Sequence, residues 1–207
     1  MSDVILCECG AQYDLADFDG ALYVPAAETI RPRLAALAAA ARERGVPRVA
    51  LVVGHKAGDP DLAEGKPDYK TTFPAHCMAG EDGARQIPES AFERSVEIPR
   101  EPHADRPVRE SLRAYRNEIL FEVAGFDPWT HPSMPTLLEV LEPKKVVVYG
   151  LPADKLVAKV VDGLLERNVA VAVVADASKP FDGKAWEALK AGWAEKGVEV
   201  LAHDQVF

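Results

Sequence analysis

The side chains through which this chain could do acid–base, nucleophilic or metal chemistry gather in four short segments. These are Gly10-Ala-Gln-Tyr-Asp14-Leu, Gly54-His55, Phe73-Pro-Ala-His76-Cys77-Met and Gly150-Leu-Pro152-Ala-Asp-Lys-Leu156-Val157. His55 and His76 are candidate ligands for a divalent metal, because neutral imidazole is the commonest protein ligand. Two ligands make an incomplete site, since metal centres usually take three from the protein, and Asp14 or Cys77 is the candidate for a third. Cys77 beside His76 suggests a nucleophile and its base, but neighbours on an extended chain point apart, so a buried structural thiol is the simpler reading. Cys7 and Cys9 alternate with Glu8, which puts both thiols on one face of a strand as small core residues. The Gly150 segment leads into a helix whose first N–H groups and dipole favour an anion or thiolate. It supplies no thiol or hydroxyl, and it reads equally as an ordinary helix opened by Pro152.

Positioning these segments requires strands and helices in alternation, and the apolar pattern supplies them. Val4 to Cys9, Arg48 to Val53, Lys145 to Tyr149 and Val169 to Val174 read as buried strands. Ala26 to Arg44 reads as a helix with Ile30, Leu34, Leu37 and Ala41 on one stripe, Pro32 in its first turn and Gly45 at its close. Met134 to Leu141, Ala153 to Arg167 and Lys184 to Lys196 read as further helices, and Val198 to Leu201 as a closing strand. Ser95 to Ile98 and Ile119 to Val123 are candidate short strands, with the charged stretch 100–116 between them as a solvated helix or loop. From Gly54 to Ser90 no period holds and Gly, Pro and Asp accumulate, which predicts a long excursion of the functional kind. This order predicts an α/β fold of three αβα layers around a mainly parallel sheet, with ligands at the carboxyl ends of the strands.

The chain has 207 residues, 48% of them hydrophobic and 28% charged, which predicts one domain, 1–207, with a substantial core. Lys plus Arg number 24 against 33 Asp plus Glu, a formal charge of -9, so the chain as a whole repels a phosphate backbone and nucleic acid is not an expected partner. No apolar run reaches the roughly 18 residues of a membrane span, and the start Met1-Ser-Asp-Val-Ile-Leu lacks the pattern of a signal peptide. Three cysteines (Cys7, Cys9, Cys77) suit reduced thiols and a cytoplasmic location better than a disulfide framework.

Taken in order, the motifs resemble the isochorismatase-like cysteine hydrolases, in particular their nicotinamidase-related branch. Gln12-Tyr-Asp14-Leu resembles the end of that family's Asp-x-Gln-x-Asp-Phe opening, and Gly20-Ala-Leu-Tyr-Val-Pro-Ala-Ala-Glu its next segment. Phe73-Pro-Ala-His-Cys-Met-Ala-Gly-Glu-Asp-Gly resembles its Pro-x-His-Cys loop, Phe121-Glu-Val-Ala-Gly-Phe-Asp the segment bearing its lysine, and Gly150 to Val157 its Gly-x-x-x-x-x-Cys-Val turn.

The resemblance implies a hydrolase ancestry in which an Asp, a Lys and a Cys attack an amide or related carbonyl. It places Gly10 at the acid, Val123 at the lysine and Leu156 at the cysteine, none of which can transfer a proton or form an acyl intermediate. A shift of one residue would put Cys9 at the acid position and leave Val123 and Leu156 inert. The resemblance also implies a divalent metal such as zinc at His55 and His76, with Val53 where the family has an aspartate. What remains of the pocket is expected to be lined by Gly10, Asp14, Phe73, Val123, Pro152 and Leu156 and to suit a small apolar or heterocyclic ligand. Leu151-Pro152 is expected to be cis, and a homodimer or larger homo-oligomer is expected. The alternative is a hydrolase of C–N bonds with an altered mechanism, using Cys77, Cys9 or a metal-bound water.

Overall fold

A computed structural model of the chain describes residues 3–101 and 104–207. Met1 and Ser2, at the start quoted above, and residues 102 and 103, within the charged stretch, lie outside the described residues. The strands are β1 (Val4–Cys9), β2 (Arg48–Val53), β3 (Val96–Ile98), β4 (Glu118–Val123), β5 (Lys145–Gly150), β6 (Ala170–Ser178) and β7 (Glu199–Leu201). They form one seven-stranded sheet in the order β3-β4-β2-β1-β5-β6-β7, and every pairing is parallel. The expected "mainly parallel" sheet is therefore parallel throughout. The chain runs outward from β1 in both directions, so the order reverses between β1 and β5, where an open α/β sheet leaves a crevice at its carboxyl edge.

The helices are α1 (Tyr13–Ala16), α2 (Arg31–Arg44), α3 (Asp105–Ala114), α4 (Met134–Leu141), α5 (Ala158–Glu166) and α6 (Gly183–Ala194). Two differ at their starts from the periodicity reading. The segment before α2 is a 3-10 turn, Ala27–Ile30, entered through Ala26 in the left-handed region. The segment before α5, Ala153–Val157, is a π turn in which the Val157 N–H donates to Pro152 O. Apolar spacing sees both as continuous helix because neither change moves the buried stripe off the sheet. The charged stretch resolves into α3, whose Val108 and Leu112 are buried. β6 runs four residues beyond its apolar run, to Ser178, because Ser178 Oγ bonds Val174 O and so has a buried partner.

One sheet face carries Ile5, Cys7, Val49, Leu51 and Val146 against Met134 and Leu137 of α4 and Val160 and Leu164 of α5. Cys7 and Cys9 are small buried residues of this packing. The alternate residues of β1, β2 and β5 look the other way, and there Arg48 adjoins Ala38 and Ala41 of α2. This second face holds a polar group of four buried residues: Glu8, Arg48, Ser90 and Tyr149. The Arg48 guanidinium donates to Ser90 O and lies 4.4 Å over the Phe92 ring. Glu8 stands beside Tyr149 across the β1–β5 register.

Burial pushes the Glu8 carboxyl above its ordinary range, and Arg48 only partly counters it. A raised carboxyl makes its full contribution below the unfolded-state value and loses it as pH rises through the folded-state value. Glu8→Gln, which keeps the shape and removes the titration, is therefore expected to leave the denaturation midpoint at neutral pH unchanged or higher. A loss of roughly 3–5 kcal/mol, the cost of breaking a buried ion pair, would show instead that Glu8 is ionised against Arg48.

Candidate functional site

The carboxyl ends of β1, β2, β4 and β5 bring the four chemistry-bearing segments to one edge of the sheet. Gln12 organises that edge. Its side chain is fully buried, accepts from the Val53 N–H and donates to Val53 O and Ala84 O, each at 2.7 Å. The end of β2 and the long loop are thereby fixed to the end of β1.

Gly10 follows β1 with φ +56°. A Cβ built on it would collide with the carbonyl oxygen of Leu151 and come within 3.0 Å of Leu15 Cδ1. The backbone around the cis Leu151-Pro152 bond thus occupies the space that a side chain at position 10 would need. Leu151 in turn donates its N–H to Cys9 O, while the Gly10 N–H goes to Leu51 O. Cys9 is the last residue of β1, and its thiol is held protonated by burial and by Cys7 beside it. Val123, Pro152 and Leu156 are all buried, and Val123 and Leu156 belong to the main hydrophobic core.

Asp14 has a different place from the pocket lining expected of it. Its carboxylate accepts from Cys77 N at 2.6 Å and Ala21 N at 3.1 Å, and it borders a cleft shared with Asp17, Asp19 and Arg85. Its role here is to tie α1 to the long loop.

Cys77 is also corrected in detail. Its φ is +46°, so the chain at His76-Cys77 is not extended; the Cys77 backbone N–H donates to Asp14, while the His76 ring turns its Nδ1 to Pro74 O. The Cys77 thiol is buried and pushed well up by burial and by Asp14, which leaves it a poor nucleophile.

His55 and His76 meet edge to face with ring centroids 4.5 Å apart, and both are fully buried. His55 Nδ1 lies 3.2 Å from Asp59 Oδ2 and 3.6 Å from Asp61 Oδ1. His76 Nδ1 lies 2.8 Å from Pro74 O, an acceptor that fixes the proton on Nδ1. Each Nε2 is buried without a partner.

These imidazoles offer two nitrogen ligands, but Asp59 is committed to Arg100, at 2.6 Å and 3.0 Å. Among the described residues no group of three or more His, Cys, Asp or Glu is placed to hold a metal ion. The donor set therefore does not fit a resident zinc centre, which takes at least three protein ligands, and neither Asp14 nor Cys77 supplies the third.

His76 is pushed down to about 4, first by burial and then by His55. A base with a depressed value is neutral in the fold, while the unfolded chain takes up a proton below its ordinary 6.5. Stability is thus complete above pH 6.5 and is lost as pH falls towards 4, by at most about 3 kcal/mol. The denaturation midpoint should fall across this window more steeply than that of His76→Gln.

Phe73 and Phe126 stand beside this pair, edge to face at 5.2 Å, with the His76 ring 5.5 Å from Phe126. Phe126 was missed by the sequence reading, though it lies three residues past Val123 in a segment already singled out. Asp59, Asp61 and Arg100 were missed as well, since a carboxylate in a polar loop carries no periodic signal. Burial raises the Asp61 carboxyl and His55 opposes that shift, while the Arg100 side chain holds Asp59 far below the usual range.

Fold and site together define a three-layer α/β protein with its candidate site at the carboxyl edge of a parallel sheet. The family model of the isochorismatase domain matches residues 4–205, and the chain belongs to the isochorismatase family. No curated protein matches the sequence, whereas solved structures match the fold end to end. A pyrazinamidase of Pyrococcus horikoshii in complex with zinc shares 17% identity over 97% of this chain and 99% of its own, with TM-score 0.76. A nicotinamidase/pyrazinamidase from Bacillus subtilis shares 18% over 97% and 100%, with TM-score 0.75. An N-carbamoylsarcosine amidase from Thermoplasma acidophilum shares 20% over 100% and 99%, with TM-score 0.72.

Proposed function

We propose that this chain is a non-catalytic member of the isochorismatase family, a small-molecule-binding or regulatory homologue whose Asp–Lys–Cys positions are held by Gly10, Val123 and Leu156. The observation that carries this reading is at Gly10, where the Leu151 carbonyl fills the space that an acid side chain would enter. A family acid there would need the backbone to move. The buried apolar Val123 and Leu156 support the same reading, because neither can hold a charge or attack a carbonyl. The zinc of the Pyrococcus horikoshii protein is not carried over, given the incomplete donor set.

Reactive cysteines sit in electropositive, partly exposed surroundings, and Cys7, Cys9 and Cys77 are all buried. Alkylation with iodoacetamide, read by intact mass, is therefore expected to leave the three thiols unmodified in the native protein and to modify all three after unfolding. Rapid labelling of a single cysteine in the native state, suppressed by a carboxamide, would overturn the proposal in favour of a thiol-dependent hydrolase.

A further inference from the structure

A cleft of about 190 Å³ lies at the amino edge of the sheet, where β2 and β4 begin and α2 ends. Arg48 and Glu118 face each other there in the strand register, and the length of β2, roughly 17 Å, separates them from the edge that carries His55. Its size suits a molecule of a few heavy atoms, below the roughly 300–1,000 Å³ of sites for larger ligands.

In a chain with a formal charge of -9, this cleft gathers three arginines from three segments: Arg42 of α2, Arg48 of β2 and Arg94 of the loop before β3. Each is held in place. Arg42 donates to Glu118 Oε1 and to Ala91 O, both at 2.8 Å. Arg94 lies 4.9 Å over the Tyr115 ring, and Arg48 donates to Ser90 O while stacked on Phe92. Arg48 closes the inner end of the cleft: it is 1% exposed, and its Nε and Nη1 have no partner among the described residues. Glu8 shares its side of the sheet, yet neither Glu8 oxygen has a partner there either, so the buried guanidinium has no bonded counter-ion. A buried charge left in that condition is costly. Of the two carboxylates lining the cleft, Glu118 is engaged by Arg42 and Glu93 is exposed, which leaves the three guanidinium charges in excess by one.

We infer that this cleft binds a small doubly charged oxyanion of the phosphate or sulfate type, held by Arg48 at its inner end and by Arg42 and Arg94 at its mouth. Guanidinium forks match such oxyanions and make charge-assisted bonds to them. Three forks from three segments suit a tetrahedral group, whose oxygens point in several directions, better than a planar carboxylate. Stacking on Phe92 and Tyr115 fixes two of the forks beforehand, so little side-chain freedom is lost on binding. The site is separate from the carboxyl edge, and the role proposed for that edge stands or falls without it.

Titration calorimetry of the full chain with sodium phosphate, sulfate and acetate, at one fixed ionic strength, tests this. Phosphate and sulfate should each bind at one site, and acetate more weakly by about tenfold. Arg94→Gln should weaken phosphate by about tenfold, the loss of a hydrogen bond to a charged group, and Arg48→Met should weaken it further. Arg94 is exposed, so its variant keeps the test open should Arg48→Met fail to fold. Arg106→Gln removes an arginine paired with Glu110 on α3 and should change nothing. In amide NMR spectra, the shifts caused by phosphate should gather at residues 42–48 and 115–118. Acetate binding as tightly as phosphate, equal losses in Arg94→Gln and Arg106→Gln, shifts gathered at His55 and His76 instead, or no binding of phosphate or sulfate would each overturn the inference.

Discussion

Gly10→Asp, which puts a carboxylate at the position that the proposed reading assigns to the family's acid, is expected to destabilise the fold by roughly 2–5 kcal/mol and to create no hydrolase activity. A non-glycine residue in the left-handed region costs roughly 1–2 kcal/mol, and forcing extra atoms into a packed site costs typically about 1–3 kcal/mol more. The second term is unavoidable here, because the added Cβ meets the backbone carbonyl of Leu151 and not a side chain that could swing away. For a chain of this length each kcal/mol moves the melting temperature by roughly 2–4 °C, so the loss is readable by calorimetry. Gly10→Ala separates the parts, since it carries the steric cost with no carboxylate to desolvate. A variant Gly10→Asp as stable as the parent would mean that the turn at Leu151 yields readily, and the steric argument for a lost acid would fail with it.

Gln12→Ala is the second large effect expected. The residue is polar and exposes nothing, yet its amide makes three 2.7 Å bonds, two of them to the backbone N–H and C=O of Val53. Truncation leaves the Val53 N–H and C=O without a partner in the interior, and each orphaned buried group costs about 1–3 kcal/mol. A loss of roughly 3–5 kcal/mol is expected, measured by denaturant unfolding. Because β2 leads directly into Gly54 and His55, the same variant should loosen the long loop, seen as faster amide hydrogen exchange from His55 to Ala84 than in the parent. An unchanged exchange pattern would confine Gln12 to a local cap and detach it from the site.

The strands were legible because a parallel sheet covered on both faces is written as unbroken apolar runs, and Val4–Cys9 and Arg48–Val53 match those runs to the residue. The helix starts at Ala27 and Ala153 were not, since a 3-10 or π turn changes the hydrogen-bonding partner without changing which side chains are apolar. Within the site, motif order brought His55 and His76 into view, and their rings are in contact. Asp14 could not be placed the same way: the motif names the residue, but only the fold shows that its carboxylate is taken by two backbone N–H groups. Arg100, Asp59 and Asp61 were invisible because their meaning lies in one another, across 41 residues of chain in the case of Arg100 and Asp59.

If this chain lacks the family's chemistry, as proposed, it releases no ammonium from an amide. The purified protein, at high concentration and over long incubation, would be supplied in turn with nicotinamide, pyrazinamide and N-carbamoylsarcosine, the amides named in the matched structures, alongside a heat-unfolded control. Release no faster than in the control is expected for every substrate. Release from any of them that is abolished by Cys77→Ala, with folding intact, would contradict the proposal and identify a working cysteine hydrolase.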